Sequence, residues 1–237
     1  MNLAWRHRWD VTPQQARRFQ DQARRRVRLR DEGHARLPGR LVAVDVSYDR
    51  PLQLCAASLV EWDVRAGRSL REWTHAQPSD FPYVPGLLSF KEIPALLPLF
   101  ERLPKPPPLV LCDGQGYAHP RRAGMASHLG VVLECRTMGW AKSRLTGDFA
   151  PPGATSGAAS ALTDGDEQIG WVLRSRAGCR PTFVSPGHRI SMERALTWAR
   201  ALMGRYRLCD PARRAHALTR TAMADAKAET LPANGAP

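Results

Sequence analysis

Three strand-like segments follow one another with almost no chain between them: "LVAVDVSY" (41–48), "LCAASLVEW" (54–62) and "SLREWTHA" (69–76). Each is rich in β-branched, aromatic and other apolar residues. The links carry Asp-Arg-Pro and Ala-Gly, turn-forming residues in connections short enough for hairpins. An antiparallel trio is therefore expected, and any fold for this chain has to be built around it.

Downstream the pattern changes. "SFKEIPALLPLFERL" (89–103) has helical character, although Pro94 and Pro98 interrupt it, and "KPPP" is a stiff break before the strand "LVLCD" (109–113). A helix is expected from about Pro120 to Val132, then a strand in "ECRTMGWA" (134–141) and a Gly-, Ala-, Ser-, Thr- and Pro-rich loop over 146–166. Two more strands, "IGWVLRS" (169–175) and "PTFVSPG" (181–187), lead to a helix capped at Ser191 and ending near Gly204. Three antiparallel strands followed by alternating helices and strands make a mixed α/β sheet with flanking helices. Ahead of it, "VTPQQARRFQDQARRRVRLRDEG" reads as a helix. Thr12 caps it, Pro13 suits its first turn, Gln15 completes a capping box, and Gly33 lies beyond its end. A chain of 237 residues suits one domain of this kind over 1–220, with the Ala-rich 221–237 as a flexible tail.

Charge narrows the partner. The 35 Lys and Arg against 22 Asp and Glu leave a formal net charge of +13. That excess favours a polyanion, nucleic acid ahead of a membrane surface. The arginine run 24–30 has two readings, a solvated helix face, which is the commoner case, or a phosphate-contacting face. The cysteines at 55, 112, 135, 179 and 209 form no C-x-x-C. They suit reduced thiols in a cytoplasmic protein rather than a disulfide framework or a zinc site. No stretch approaches the roughly 18 apolar residues of a membrane span, and "MNLAWRHRWD" lacks the apolar core of a signal peptide.

Three carboxylates stand out. Asp45 sits in the middle of an apolar strand, where an ionised carboxylate needs a cation or several donors. The alternatives are a backbone-satisfied aspartate or a raised pKa. Asp113 ends a strand, the place where open α/β sheets bind ligands, although it would equally cap the turn over Gly114 and Gly116. Glu92 has an ordinary explanation as the third residue of a capping box, "SFKE", with Ser89 as the cap. If all three converge, a hard divalent cation such as Mg²⁺ or Mn²⁺ would hold them together, and on a basic protein such a site suits phosphoryl transfer.

"PYVPGLLSFKE", "LCDGQGYAHPRRAGMASHLG", "GWAKSRLTG" and "FVSPGHRIS" occur here in an order and spacing that resemble the endonuclease V family of repair nucleases, over roughly Gln14 to His216. The resemblance implies a ribonuclease H-like fold and an enzyme that hydrolyses the second phosphodiester bond 3′ to deoxyinosine in DNA; a monomer is expected, although the sequence does not fix the oligomeric state. The ends left would be a 3′-hydroxyl and a 5′-phosphate. It further implies Mg²⁺, with Mn²⁺ able to substitute, held by Asp45, Glu92 and Asp113. Lys142 matches the family's lysine near the reacting phosphate. His216 falls on an acidic or imidazole position in "RYRLCDPARRAHAL", where Cys209 and Ala212 depart from the family pattern. Pro82, Tyr83, Val84, Pro85 and Gly86 resemble the wedge, with Tyr83 entering the base stack. The backbone at Gly86, Leu88 and Gly114 would read the flipped base, with Gly124 leaving room and His119 beside the site. Trp140 replaces the small or β-branched residue expected before "AK". Tyr83 would otherwise be a buried loop anchor, and His216 a surface histidine. Two other functions fit the same motifs: an inosine-specific ribonuclease, since some family members act on RNA, and a non-catalytic binder, against which the intact acidic trio argues.

Overall fold

The computed structural model describes residues 3–32 and 36–230. Its frame is one eight-stranded sheet in the order β3-β2-β1-β4-β5-β8-β7-β6. The expected trio is there: β1 (Arg40–Asp49), β2 (Leu54–Asp63) and β3 (Arg68–Pro78) pair antiparallel. Next to β1 come β4 (Val110–Cys112) and β5 (Thr137–Ala141), both running parallel to β1, and β8 (Thr182–His188) and β7 (Glu167–Leu173) extend the sheet antiparallel. The eighth strand, β6 (Ala159–Asp164), lies where composition suggested a loop. It pairs with β7 through a two-residue Gly165-Asp166 turn, Gly165 taking φ +61°. The Asp-Gly at 164–165 is a hairpin signal that the surrounding small residues obscured.

Alternation along β1 decides what covers the sheet, because successive side chains face opposite ways. Val42 and Val44 enter a core with Ile93, Leu96 and Leu99 of α2 (Leu88–Glu101) and Leu129 of α3 (Met125–Leu133). Leu41 and Ala43 enter the other core with Trp198 of α4 (Met192–Leu202) and Ala212 and Ala215 of α5 (Asp210–Thr230). Each fully buried Leu or Ile is worth about 1.5–3 kcal/mol, so both faces are sealed and function is left to the strand ends. Trp140 is fully buried in the α4–α5 core, its indole Nε1 without a hydrogen-bond partner.

Several boundaries differ from expectation. The first helix, α1 (Pro13–Arg26), has the Thr12–Gln15 capping box but stops at Val27, which turns extended. Gly33 lies outside the described residues. Ser89 is not a cap: α2 begins two residues earlier than such a cap would start it, after Leu87, and has no side-chain cap. The helix runs on through Pro94 and Pro98, whose rings sit on one side at i, i+4. α3 starts at Met125 rather than near Pro120, because Arg122 takes φ +54° and holds 120–124 as a turn. The chain beyond 220 is not frayed as far as Thr230. There α5 continues, burying Ala222, Met223 and Ala226 against Leu54 and Ala56, and Lys227 pairs with Asp49.

Candidate active site

Parallel pairing sets the first geometry. Val44 of β1 sits opposite Cys112 of β4, so Asp45 and Asp113, each one residue further on, emerge side by side at adjoining strands. Asp45 shares the face of Leu41 and Ala43, the face that α5 covers, and α5 brings His216 to it: Nδ1 lies 3.2 Å from Asp45 Oδ2. Ligand atoms of Asp45, Asp113 and His216 all fall within 4.8 Å of one another. Lys142, just past β5, donates to Asp113 Oδ2 at 2.5 Å. Burial, and then the charge of Asp113, pushes the Asp45 carboxyl up to about 6. Two facing carboxylates in a desolvated spot repel each other, and a cation between them removes that cost.

Glu92 approaches from α2. It is buried, and its carboxyl is held well above the ordinary range by desolvation and then by Asp45 and Asp113. Its oxygens are not within the 4.8 Å set. Beside it Lys91 is 1% exposed, donating to the carbonyls of Phe81 (2.5 Å) and Ser79 (3.3 Å) and lying 3.5 Å from the centroid of the Tyr48 ring. That cation ties α2 to the segment leading into the Pro82–Gly86 loop. On the loop, Tyr83 is 66% exposed, which removes the reading of a buried anchor; Phe81 is the residue that packs inward, against Phe90.

A pocket of about 320 Å³ opens between the loop and the acidic cluster. Tyr83, Val84, Pro85, Gly86 and Leu88 form one side, Gly114, His119 and Gly124 the floor, and Asp113 and Lys142 also reach it. Gly86 turns the loop at φ +78°. Its carbonyl accepts from Gln20 Nε2 (2.7 Å), His119 Nε2 (2.9 Å) and an Arg121 guanidinium nitrogen (3.0 Å). His119 Nδ1 accepts from the Arg121 backbone N–H (3.1 Å), so the ring proton lies on Nε2. Burial, aided by Arg121 and Arg122, holds this imidazole at about 4, hence neutral. Gly124 is needed for space: a Cβ there would lie 2.5 Å from the Gln115 carbonyl oxygen. Pro82 stays exposed at the loop tip and does not line the pocket.

Sequence reasoning missed Gln20 and Arg121, which brace Gly86, and Arg207. Arg207 donates to the carbonyls of Lys142 (2.5 Å), Pro181 (2.9 Å) and Arg180 (2.9 Å), fastening the Lys142 strand end to the β7–β8 side. A buried polar residue on the apolar stripe of α1 was the available sign for Gln20. Nothing local marks Arg207 among so many arginines.

A mixed sheet in this order, with two carboxylates at adjoining parallel strand ends, is the ribonuclease H-like frame of a metal-dependent phosphodiester hydrolase. The chain belongs to the Endonuclease V family, whose profile matches residues 21–217. It is 42% identical to Endonuclease V of Streptomyces avermitilis over 93% of this chain and 96% of that protein, and 45% identical to that of Xanthomonas campestris over 89% of each. The crystal structure of the Streptomyces avermitilis protein superposes with a TM-score of 0.87, covering 92% of this chain and 96% of that one. Endonuclease V of Ciona intestinalis shares the fold at 22% identity (TM-score 0.77, 90% and 98% covered); it was crystallised with a 24mer DNA containing an inosine followed by a ribo-adenosine.

Proposed function

We propose that this chain recognises deoxyinosine in DNA and hydrolyses the second phosphodiester bond on its 3′ side, leaving a 3′-hydroxyl and a 5′-phosphate. The observation that carries this reading is a single cavity lined both by the exposed-tyrosine loop and by Asp113 and Lys142. A base lodged in it would hold its own strand against the acidic cluster. The Ciona intestinalis relative's inosine-containing DNA supports the choice of base.

The donor set fits a hard divalent cation. Two carboxylates and an imidazole converge within 4.8 Å, and the carboxyl of a buried glutamate nearby is held well above the ordinary range by desolvation and then by Asp45 and Asp113. Asp45, Asp113 and Glu92, with His216 adjoining, would hold Mg²⁺, for which Mn²⁺ would substitute. Such an ion supplies activation of water and neutralisation of charge on the scissile phosphate. The remaining work falls to the chain itself. Tyr83 would stack where the base has left the helix. Leu88 opens α2, so its N–H is among the helix's unpaired first-turn donors and would meet a base acceptor. The clamp on the Gly86 carbonyl keeps that part of the loop rigid. Lys142, held by Asp113, would face the phosphate and stabilise its developing charge. We assign these roles to a single domain that includes α5 to Thr230, acting as a monomer. Five free thiols, four of them buried, support a reducing compartment, the cytoplasm. Among the described residues no helix is long and apolar enough to cross a membrane.

The test is incubation with matched DNA and RNA strands, each with or without one inosine, with Mg²⁺ or a chelator. Mg²⁺-dependent nicking of inosine DNA at the second 3′ bond is expected. Cutting confined to RNA would move the substrate to inosine-containing RNA, and binding without cutting would leave a recognition protein.

A further inference from the structure

The basic charge of α1 is not spread evenly around the helix. At about 100° per residue, Arg17, Gln20 and Arg24 lie along one flank, while Arg18 and Arg25 point directly away from the buried Ala16 and Ala23. The other flank is occupied: Phe19 and Arg26 pack on the N-terminal segment, with the Arg26 guanidinium 5.1 Å from the Trp5 ring. Further along, Arg28 and Arg30 pair with Glu32. The solvated reading of the arginine run therefore fails to describe its members as one group.

The Arg17–Arg24 flank borders the pocket. Gln20, between them, is 1% exposed, lines the cavity and holds the Gly86 carbonyl, and its Oε1 accepts from Arg121 Nε at 2.6 Å. Arg17 repels the Arg121 guanidinium, an effect that Asp21 only offsets in part. Arg24 lies within electrostatic reach of Tyr117 and Glu167, but Glu167 is already committed to Arg122. Arg17 and Arg24 are exposed and make no hydrogen bond or salt bridge among the described residues. Two cations on either side of a pocket-lining residue suit an incoming anion.

We propose that this flank is a phosphate track for the strand on the 5′ side of the base in the pocket. The inference rests on the proposed cut 3′ to the base: if the acidic cluster takes the backbone on that side, the strand leaves the pocket the other way, along the wall that Gln20 builds. Arg17 and Gln20 precede the stretch matched to the family and Arg24 falls near its start, so the track would lie on this N-terminal helix, apart from the acidic cluster.

Two double variants test it. Arg17→Ala with Arg24→Ala removes the track; Arg18→Ala with Arg25→Ala removes the same charge at the same seven-residue spacing from the outward face. Binding is measured by fluorescence anisotropy in chelator across a salt series, and the half-saturating concentration for cleavage is measured with Mg²⁺. One single-stranded substrate carries about ten nucleotides on each side of inosine, and a second has inosine at its 5′ end. The track variant is expected to bind the long strand about five-fold or more weakly, with a salt slope shallower by about 1.4 at roughly 0.7 per contact. Its cleavage rate at saturation should stay as in the wild type. On the 5′-truncated strand it should match the wild type, and the outward variant should match it on the long one. Equal losses on both strands, equal losses in both variants, or no loss at all would overturn the proposal. A wild type that binds but cuts no inosine strand would instead remove the proposed function.

Discussion

Asp45 shows how one residue joins stability to chemistry. Its carboxyl is raised to about 6 because it is buried and faces Asp113, so above that pH the metal-free fold carries a repulsion that an ion would relieve. Asp45→Asn should abolish cleavage, since it removes a ligand, while leaving the metal-free Tm equal to or above wild type. The wild type should gain Tm on adding Mg²⁺ and the variant should not. Near-normal cutting by the variant, or an undiminished Mg²⁺ shift, would show that the ion sits elsewhere. Tyr83 is the opposite case, a large aromatic ring 66% exposed. Tyr83→Ala should cost about 1–3 kcal/mol of inosine preference over unmodified DNA through lost stacking, with no change in Tm. An unaltered preference in competition binding would reduce Tyr83 to a surface residue.

At the scale of elements, the site depends on strand ends that come from distant parts of the chain. Lys142 leaves β5 and would drift were its carbonyl not held by Arg207, which precedes α5. Arg207→Ala should lower cleavage at least ten-fold with little change in DNA affinity. In a Lys142→Ala background the same substitution should have almost no further effect, because two residues acting as one unit are not additive. Fully additive losses in single-turnover rates would mean that Arg207 acts independently of Lys142. The elements themselves were largely legible in the sequence. β1, β2 and β3 fall within a few residues of their apolar runs, and the Thr12 capping box starts α1 as its residue types require. α2 was harder. Ser89 fits the capping pattern, yet its hydroxyl bonds His128 at 3.0 Å inside the protein, a partner 39 residues away that no local pattern announces.

Across the whole molecule the histidines set the response to acid. His7, His119, His128 and His188 all lie below the ordinary imidazole value, chiefly through burial, the second and fourth at about 4. His7 and His128 meet through their Nε2 atoms at 2.8 Å, a contact bridged by one proton and broken by two. Because the unfolded chain binds these protons first, the stability they provide is complete above about pH 6.5 and is lost as pH falls through about 4. His119 and His188, held at about 4, each contribute a slope near 1.4 kcal/mol per pH unit inside that window. Asp45 and Glu92 work the other way, their raised values favouring the fold toward acid, but they are outnumbered. Urea midpoints of the metal-free protein should fall steadily from pH 7 to pH 4.5; a flat or rising series would mean that these rings are solvated.

What the sequence by itself determined is the set of segments that must be buried and the chemistry they carry. The three apolar runs, the aspartates at 45 and 113 and the Pro82–Gly86 loop follow from residue type and order, which local physics reads directly. Tertiary structure alone decided which groups meet. That β1 and β4 lie parallel with Val44 opposite Cys112 places two carboxylates together, and α5 running on to Thr230 carries His216 over them. The α1 flank beside the pocket, the Gly86 clamp and the hold of Arg207 on Lys142 likewise join residues 33 to 101 positions apart. Such meetings depend on how helices dock on a finished sheet, and one arginine among 31 carries no mark in the sequence of the carbonyl it will find.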